Sequence, residues 1–308
     1  MSSIQVRTNP AITPHQREIL SGLTAGFITT TVTHPLDLLK IRLQLDQTSS
    51  TTHFQNFQRQ FSILYDSTSK LRTLQNVYRG LLPNLIGNSI AWSIYFTSYR
   101  VSKDISHKIF HASTASDYSN KDSNLQTWQY LTSAFAAGSF TALLTNPLWV
   151  LKTRILSTNK SNPGAYQNIT DGMRRILKEE GILGFWKGFV PSLMGVSQGA
   201  LQFAIYDTLK YQIYQSDSTK LEIYQYIIMS CSSKMVSLLI LYPIQLLKSR
   251  LQDYESIKRP KTLSGVIKEI ITTEGVSGFY KGVVPNLMRV LPATCITFGV
   301  YEQMKIWV

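Results

Sequence analysis

Two cations stand alone in otherwise uncharged sequence. Lys234 is the one charge between Ile223 and Leu247, and Arg289 the one charge between Gly282 and Tyr301. A cation kept in so apolar a setting needs an anion or a ring of backbone carbonyls, because an unpaired charge away from water is costly. A guanidinium matches phosphate with two parallel N–H donors. No carboxylate interrupts the uncharged runs of the chain except near their ends, so these positions suit an anionic ligand. Trp92, Tyr95, Phe96 and Phe203 lie in neighbouring runs, and Trp149 sits just after a proline. Their faces suit stacking against flat rings. A ligand with phosphates and a planar heterocycle fits both features.

These residues sit on six long elements. Ile19–Leu36, Leu81–Tyr99, Trp128–Leu151 and Gly188–Tyr206 carry no charge, and the two runs that hold Lys234 and Arg289 complete the set. Each is close to the ~20 residues that span a bilayer. Thr29, Thr30, Thr31, Thr33, Asn88, Ser89, Ser93, Gln198 and Gln202 make them polar for lipid-facing helices, which predicts that such residues turn toward a wet interior. A soluble protein of amphipathic helices is the competing reading; six charge-depleted runs in register count against it.

The register comes from repetition. PLDLLKIR begins at Pro35, PLWVLKTR at Pro147 and PIQLLKSR at Pro243; each is followed by an aromatic-basic-glycine element at Tyr78, Trp186 and Tyr280. The proline spacings are 112 and 96 residues, and those of Gly80, Gly188 and Gly282 are 108 and 94. One unit of about a hundred residues is therefore written three times. The boundaries read as 16–110, 128–213 and 222–308 within a single domain, with 111–127 as a linker and residues 1–15 as a frayed lead-in.

Charge supports the same topology. The net charge is +13, and segments 40–80, 152–187 and 248–281 hold six, seven and seven of the 31 Lys and Arg. Basic loops stay on the side from which a chain inserts, so all three lie on one face and both termini on the other. Each contains a short helical stretch: Phe54–Tyr65, Thr170–Glu179 and Leu263–Ile271. A soluble nucleic-acid binder would interleave aromatics with its basic residues; here the two are segregated. Cys231 and Cys295 make neither a disulfide framework nor a zinc spacing, and no nucleophile–base pattern recurs, so an enzyme is not expected. Gly22 with Gly26, Ala134 with Gly138, and Gly195 with Gly199 have the spacing that lets helices approach in lipid. In the third repeat the matching pair is Ser230 and Lys234, a lysine in the place of a glycine.

The triple motif resembles the mitochondrial carrier family over essentially the whole chain. The resemblance implies an all-α membrane fold of six transmembrane helices, three pseudo-symmetric repeats and a central cavity, kinked at Pro35, Pro147 and Pro243 and working by alternating access. It also implies a matrix gate in which each motif acid meets the lysine of the next repeat. Asp37 would then pair with Lys152, while Trp149 and Gln245 replace the other two acids. Trp149 is expected to hold Lys248 through its ring, and Gln245 to meet Lys40. Gln44 and Gln252 match the family's bracing glutamines, where Leu156 does not. At the opposite gate, Asp207 with Lys305 and Glu302 with Lys103 are the implied pairs, and Lys210 faces the out-of-pattern Arg100. Substrate positions carried over from the family are Gly87, Asn88, Gly195, Val196 and Arg289; Lys234 and Trp92 join them from the reading of charge and aromatics.

GNSIAW (87–92), the tryptophan of the second proline motif and GVSQGAL (195–201) resemble the branch that carries flavin, folate and nicotinamide or pyrimidine nucleotides. The flavin-carrying members are the most similar, which implies FAD as transported solute, with no bound cofactor and no metal. Nothing in the residues themselves separates FAD from NAD, and a non-transporting protein of this fold remains the alternative raised by the two missing gate acids. The expected setting is the mitochondrial inner membrane with termini toward the intermembrane space. Expected partners are a small nucleotide-like anion and the bilayer, cardiolipin included, with no nucleic acid and a monomeric chain.

Overall fold

A computed structural model describes residues 14–46, 53–64, 69–110, 126–157, 165–166, 168–216, 223–253 and 262–307, without the side chains of 14–19, 53–54, 110, 127, 212–216, 223–224, 291, 298–299 and 301–307. The expected lead-in and linker lie almost wholly outside the described residues. In chain order the helices are α1 (Pro14–Leu45), α2 (His53–Leu64), α3 (Lys70–Val77), α4 (Leu81–Phe110), α5 (Thr127–Ser157), α6 (Ile169–Glu180), α7 (Phe189–Ser216), α8 (Ile223–Gln252), α9 (Leu263–Thr273) and α10 (Val283–Trp307). Among the described residues no strand occurs. The long helices α1, α4, α5, α7, α8 and α10 carry the six charge-poor runs. Among the described residues, the segments Trp128–Ser157 and Gln225–Gln252 are long and apolar enough, by length and composition alone, to cross a membrane; threonines, serines, glutamines and asparagines make α1, α4 and α7 more polar.

Many of those hydroxyls do not need a wet interior. Thr31 donates to the Phe27 carbonyl at 2.9 Å, Thr33 to Thr29 at 2.8 Å, Ser93 to Ser89 at 2.9 Å, and Thr145 to Thr141 at 2.8 Å. Each hydroxyl is satisfied one turn back on its own helix, which makes it tolerable at membrane depth. The outward residues are apolar: Leu23, Phe27 and Val32 of α1 are exposed while Ser21, His34, Asp37, Arg42 and Gln44 are buried. That inversion of the water-soluble pattern suits a lipid surround.

Pro35, Pro147 and Pro243 lie inside α1, α5 and α8, and each helix runs on to its motif's lysine and arginine. A proline here removes one helical hydrogen bond. The residue before each proline ties the helix to the aromatic-basic-glycine element. His34 Nε2 lies 2.9 Å from the Arg79 carbonyl and its ring stacks on Tyr78 at 6.1 Å. Asn146 donates to the Phe185 and Lys187 carbonyls at 2.7 and 3.2 Å. Tyr242 stacks on Tyr280 at 6.0 Å.

The basic segments hold the three expected short helices, as α2, α6 and α9, and one unexpected, α3. Gly181 and Gly275 have φ of 69° and 68°, each followed by a 3-10 turn (Ile182–Trp186, Val276–Tyr280). The residue seven before Gly80 is Thr73. Threonine adopts positive φ at a cost, so repeat one continues as α3 instead.

Two compact units result: Met1–Leu85 with Lys281–Val308, and Ile86–Tyr280. In the first, α1 lies along α10, with α2 and α3 resting on α1; Thr29 and Thr297 hydroxyls meet at 2.9 Å. In the second, α7 lies along α8 and α5 packs on α7. There Val196 fills the hollow at Gly138, where an added Cβ would meet its Cγ1 at 2.5 Å. Gly22, Gly26, Gly195 and Gly199 are different: no described atom lies within 4 Å of their missing Cβ positions. Of the glycines expected at close helix crossings, only Gly138 has a described neighbour there, because spacing alone does not choose the face that meets a neighbour.

Candidate functional site

In the first unit the site grows from the proline motif of α1. Helical spacing puts His34 and Asp37 on one face, and both are buried. Asn84, in the first turn of α4, faces them: its Nδ2 is 3.4 Å from Asp37 Oδ2 and 3.4 Å from His34 Nδ1. Because His34 Nε2 must donate to a carbonyl, Nδ1 is left to accept from Asn84. From α10, Arg289 Nη1 forms an ion pair with Asp37 Oδ1 at 2.8 Å; the side chains are 33% and 9% exposed. The carboxylate is sealed in, and the guanidinium is reachable. Arg289 Nε has no hydrogen-bond partner among the described residues, so the cation is held but not saturated. Gln44 is fully buried near the end of α1, and Lys40 is half-buried. Lys281 Nζ donates to the Asp46 carbonyl at 2.9 Å, joining the approach to α10 to the end of α1.

In the second unit Trp149 is the centre. Lys152 Nζ lies 5.1 Å and Lys248 Nζ 5.8 Å from its ring centroid. One indole thus takes up two cations in the position of a motif acid, including the Lys248 contact anticipated from sequence. Its Nε1 donates to Thr145 Oγ1 at 3.0 Å, which fixes the ring plane. Gly87 lies behind it, the Cβ position 3.7 Å from the ring carbons. Gln245 donates to Gln198 Oε1 at 2.9 Å. Gln252 is buried, accepts from Thr153 Oγ1 at 3.2 Å and donates toward Asn146 Oδ1 and the Lys187 carbonyl at 3.4 Å. Its hydrogen bonds join repeat three to repeat two.

The remaining positions are placed as follows. Lys234 and Asn88 are half-buried. Val196, expected at the solute, packs against Gly138, whereas no described atom lies within 4 Å of the Cβ position of Gly195. Trp92 is exposed and stacks on Phe96 at 5.5 Å. Lys103 Nζ lies 5.3 Å from the Tyr99 centroid. Asp207 and Lys210 lie on α7. The Glu302 and Lys305 side chains are outside the description, and so are the pairs expected of them.

Two acids lie outside the motifs. Glu180 receives both Nη atoms of Arg154 and the Lys187 ammonium, and Glu274 pairs with Arg250 at 2.7 Å. Each pairs with the buried arginine of a proline motif. Their signal was available: Glu180 and Glu274 both stand eight residues before the element's glycine. Burial by itself pushes the Glu180 carboxyl up, but hydrogen bonds and charge from Arg154 and Lys187 prevail and hold it below the usual carboxylate value.

Comparison with known proteins identifies the family. Residues 13–109, 123–217 and 219–308 each match the family described as mitochondrial carrier protein. The chain is 44% identical, over 95% of its length and 97% of the relative's, to the mitochondrial FAD carrier protein FLX1 of Saccharomyces cerevisiae. It is 34% identical to the chloroplastic folate transporter 1 of Arabidopsis thaliana, over 92% of each chain. It is 32% identical to the mitochondrial nicotinamide adenine dinucleotide transporter 2 of the same plant, over 92% of this chain and 77% of that one. With three matches that together span almost its whole length, the chain belongs to the mitochondrial carrier protein family.

Proposed function

We propose that this protein carries FAD across the mitochondrial inner membrane by alternating access, one molecule at a time. The observation that carries the reading is end-to-end similarity, at 44% identity, to a yeast protein named as a mitochondrial FAD carrier. The chemistry is consistent with it. FAD brings a pyrophosphate and two flat ring systems; the chain offers Arg289 and Lys234 as span cations and Trp149 and Trp92 as faces.

Arg289 is the phosphate ligand in this account. It exchanges its bond to Asp37 for one to the solute, and that exchange loosens the proline-motif end while solute is bound. Coupling follows because solute binds one state of the gate better than the other. Lys234 and Asn88 are further solute contacts proposed from the sequence alone. Trp149, with Lys152 and Lys248 on its ring, supplies the gate contact its missing acid would have made. The basic loops face the matrix and the termini the intermembrane space.

The test is transport by the purified protein in liposomes against FAD, FMN, NAD, folate and pyrimidine nucleotides. Saturable uptake with FAD preferred is expected. Preference for NAD or folate overturns the choice of solute, and an inert panel overturns transport itself.

A further inference from the structure

We propose that His34 is a proton-binding site that controls the Asp37–Arg289 pair through Asn84, so that a proton and the solute bind in concert. The proposal rests on the reading that Arg289 exchanges Asp37 for a phosphate of the solute, and adds what eases that exchange. His34 is fully buried and both its ring nitrogens are engaged: Nε2 lies 2.9 Å from the Arg79 carbonyl and Nδ1 3.4 Å from Asn84 Nδ2. The same Asn84 nitrogen is 3.4 Å from Asp37 Oδ2, and Asp37 Oδ1 is 2.8 Å from Arg289 Nη1. Four side chains thus form one chain of contacts from imidazole to guanidinium.

The two states of the imidazole make opposite demands on Asn84. A carbonyl only accepts, so Nε2 carries a proton in either state. Neutral His34 accepts at Nδ1, and Asn84 turns its NH2 to both the ring and the carboxylate. Protonated His34 donates at Nδ1. Asn84 must then turn its oxygen to the ring, which withdraws the NH2 from Asp37 and sets an amide oxygen against Oδ2. The carboxylate is pushed out of line with Arg289 and gains a nearby imidazolium as a second cation. Both changes ease the release of Arg289 to a phosphate.

The described groups around His34 are Asp37 on its own helix, Tyr78 stacked on the ring at 6.1 Å, Arg79, Asn84 of α4 and, beyond Asp37, Arg289 of α10. Arg59 of α2 and Lys70 and Arg72 of α3 are exposed. Repeat two separates a sensor from a structural tie. Asn146 stands there in the place of His34 and Ser192 in that of Asn84, with the Ser192 hydroxyl 3.3 Å from Asn146 Oδ1, and Trp149 replaces the acid. Holding the two helices together therefore needs no titrating group.

The full chain in lipid nanodiscs is titrated with FAD at about pH 8 and about pH 5.5. The charge of its pyrophosphate is constant there, whereas a phosphate monoester titrates near ~6. Imidazole ordinarily changes charge inside this window, at ~6.5. FAD binding tightens at the lower pH by up to about fivefold, the factor for release of one partly exposed ion pair. By linkage, FAD binding takes up protons between the two pH values, read by calorimetry in two buffers of different ionisation enthalpy. His34→Asn, which installs the residue of repeat two, abolishes both effects while unfolding stays cooperative. Asn84→Ser keeps the imidazole, shortens the reach to Asp37 and diminishes both. Binding by the native chain that ignores pH, or a full pH effect in either variant, overturns the proposal; if His34→Asn fails to fold, the native chain and Asn84→Ser decide. FAD uptake into liposomes separates this from the reading beneath it. Proton-linked binding without uptake removes the transport assignment and leaves the His34 site, uptake with pH-independent binding does the reverse, and no FAD binding at either pH overturns both.

Discussion

Arg289 Nη1 sits 2.8 Å from Asp37 Oδ1, so the lone cation of the run Gly282–Tyr301 is tied to the lone acid of the three proline motifs. Asp37 is sealed on its other side by Asn84, which also satisfies His34. One residue thus serves two demands: it closes the acid's valence, and it presents a partly reachable guanidinium to solute.

If phosphate and Asp37 compete for Arg289, Asp37→Asn separates affinity from turnover. The guanidinium, released from a partly exposed pair worth ~1 kcal/mol after solvent screening, binds FAD about fivefold more tightly. The loosened gate lowers the maximal rate. Initial rates over a range of FAD concentrations check this; a KM that rises in Asp37→Asn contradicts the competition.

Trp149→Ala removes the ring that takes up Lys152 and Lys248 and leaves two ammonium groups without it. Each contact is worth ~0.5–2 kcal/mol, so a loss of about 2 kcal/mol is expected in thermal unfolding in detergent. Trp149→Phe keeps a π-face and recovers much of it. Equal stability of the Ala variant and the native chain contradicts the assignment.

Glu180 joins Arg154 and Lys187 in a buried cluster, and its carboxyl is held below the ordinary value. A depressed folded value stabilises the fold above the unfolded carboxylate value of about 4.3, and that contribution is lost as pH falls through the lower folded value. Glu180→Gln removes the charge that Arg154 needs and costs ~3 kcal/mol at neutral pH. The variant is also less sensitive to acid than the native chain between pH 5 and 3. Unfolding midpoints across that window are the check.

Gly188 has φ +72°, and an added Cβ would lie 2.9 Å from Gln252 Cγ and 3.1 Å from the Lys248 carbonyl. Gly188→Ala therefore loses ~2 kcal/mol through backbone conformation and displacement of a bracing glutamine. Gly195→Ala and Gly199→Ala, within α7 and without described neighbours at the Cβ, are neutral or slightly stabilising. Thermal shifts of the three variants side by side test whether position in the motif or local space decides.

The six long helices were legible because charge depletion and threefold recurrence act over whole segments. The Trp149–Lys248 contact was legible because a ring stood where an acid belonged and a lysine recurred at fixed spacing. Asp37–Arg289 was not. Both residues stood out singly, but their meeting depends on how α1 lies along α10, which no local pattern encodes. Hydroxyls such as Thr31 and Ser93 were read as facing water, yet a back-bond within the helix satisfies them equally well, and composition does not distinguish the two. Glu180 and Glu274 stand outside the proline motifs, in the basic segments, so the motif pattern does not point to the acids that pair with Arg154 and Arg250. Thr73 in place of a glycine explains α3, a substitution visible only once the repeats are laid in register.

The most direct measurement is FAD uptake into liposomes by the native chain and Arg289→Ala at equal incorporation. The account predicts saturable uptake by the native chain and a loss of at least a hundredfold in the variant, with thermal unfolding still cooperative. Uptake that survives the loss of Arg289 contradicts its role as phosphate ligand, and a native chain that moves no FAD contradicts the account at its root.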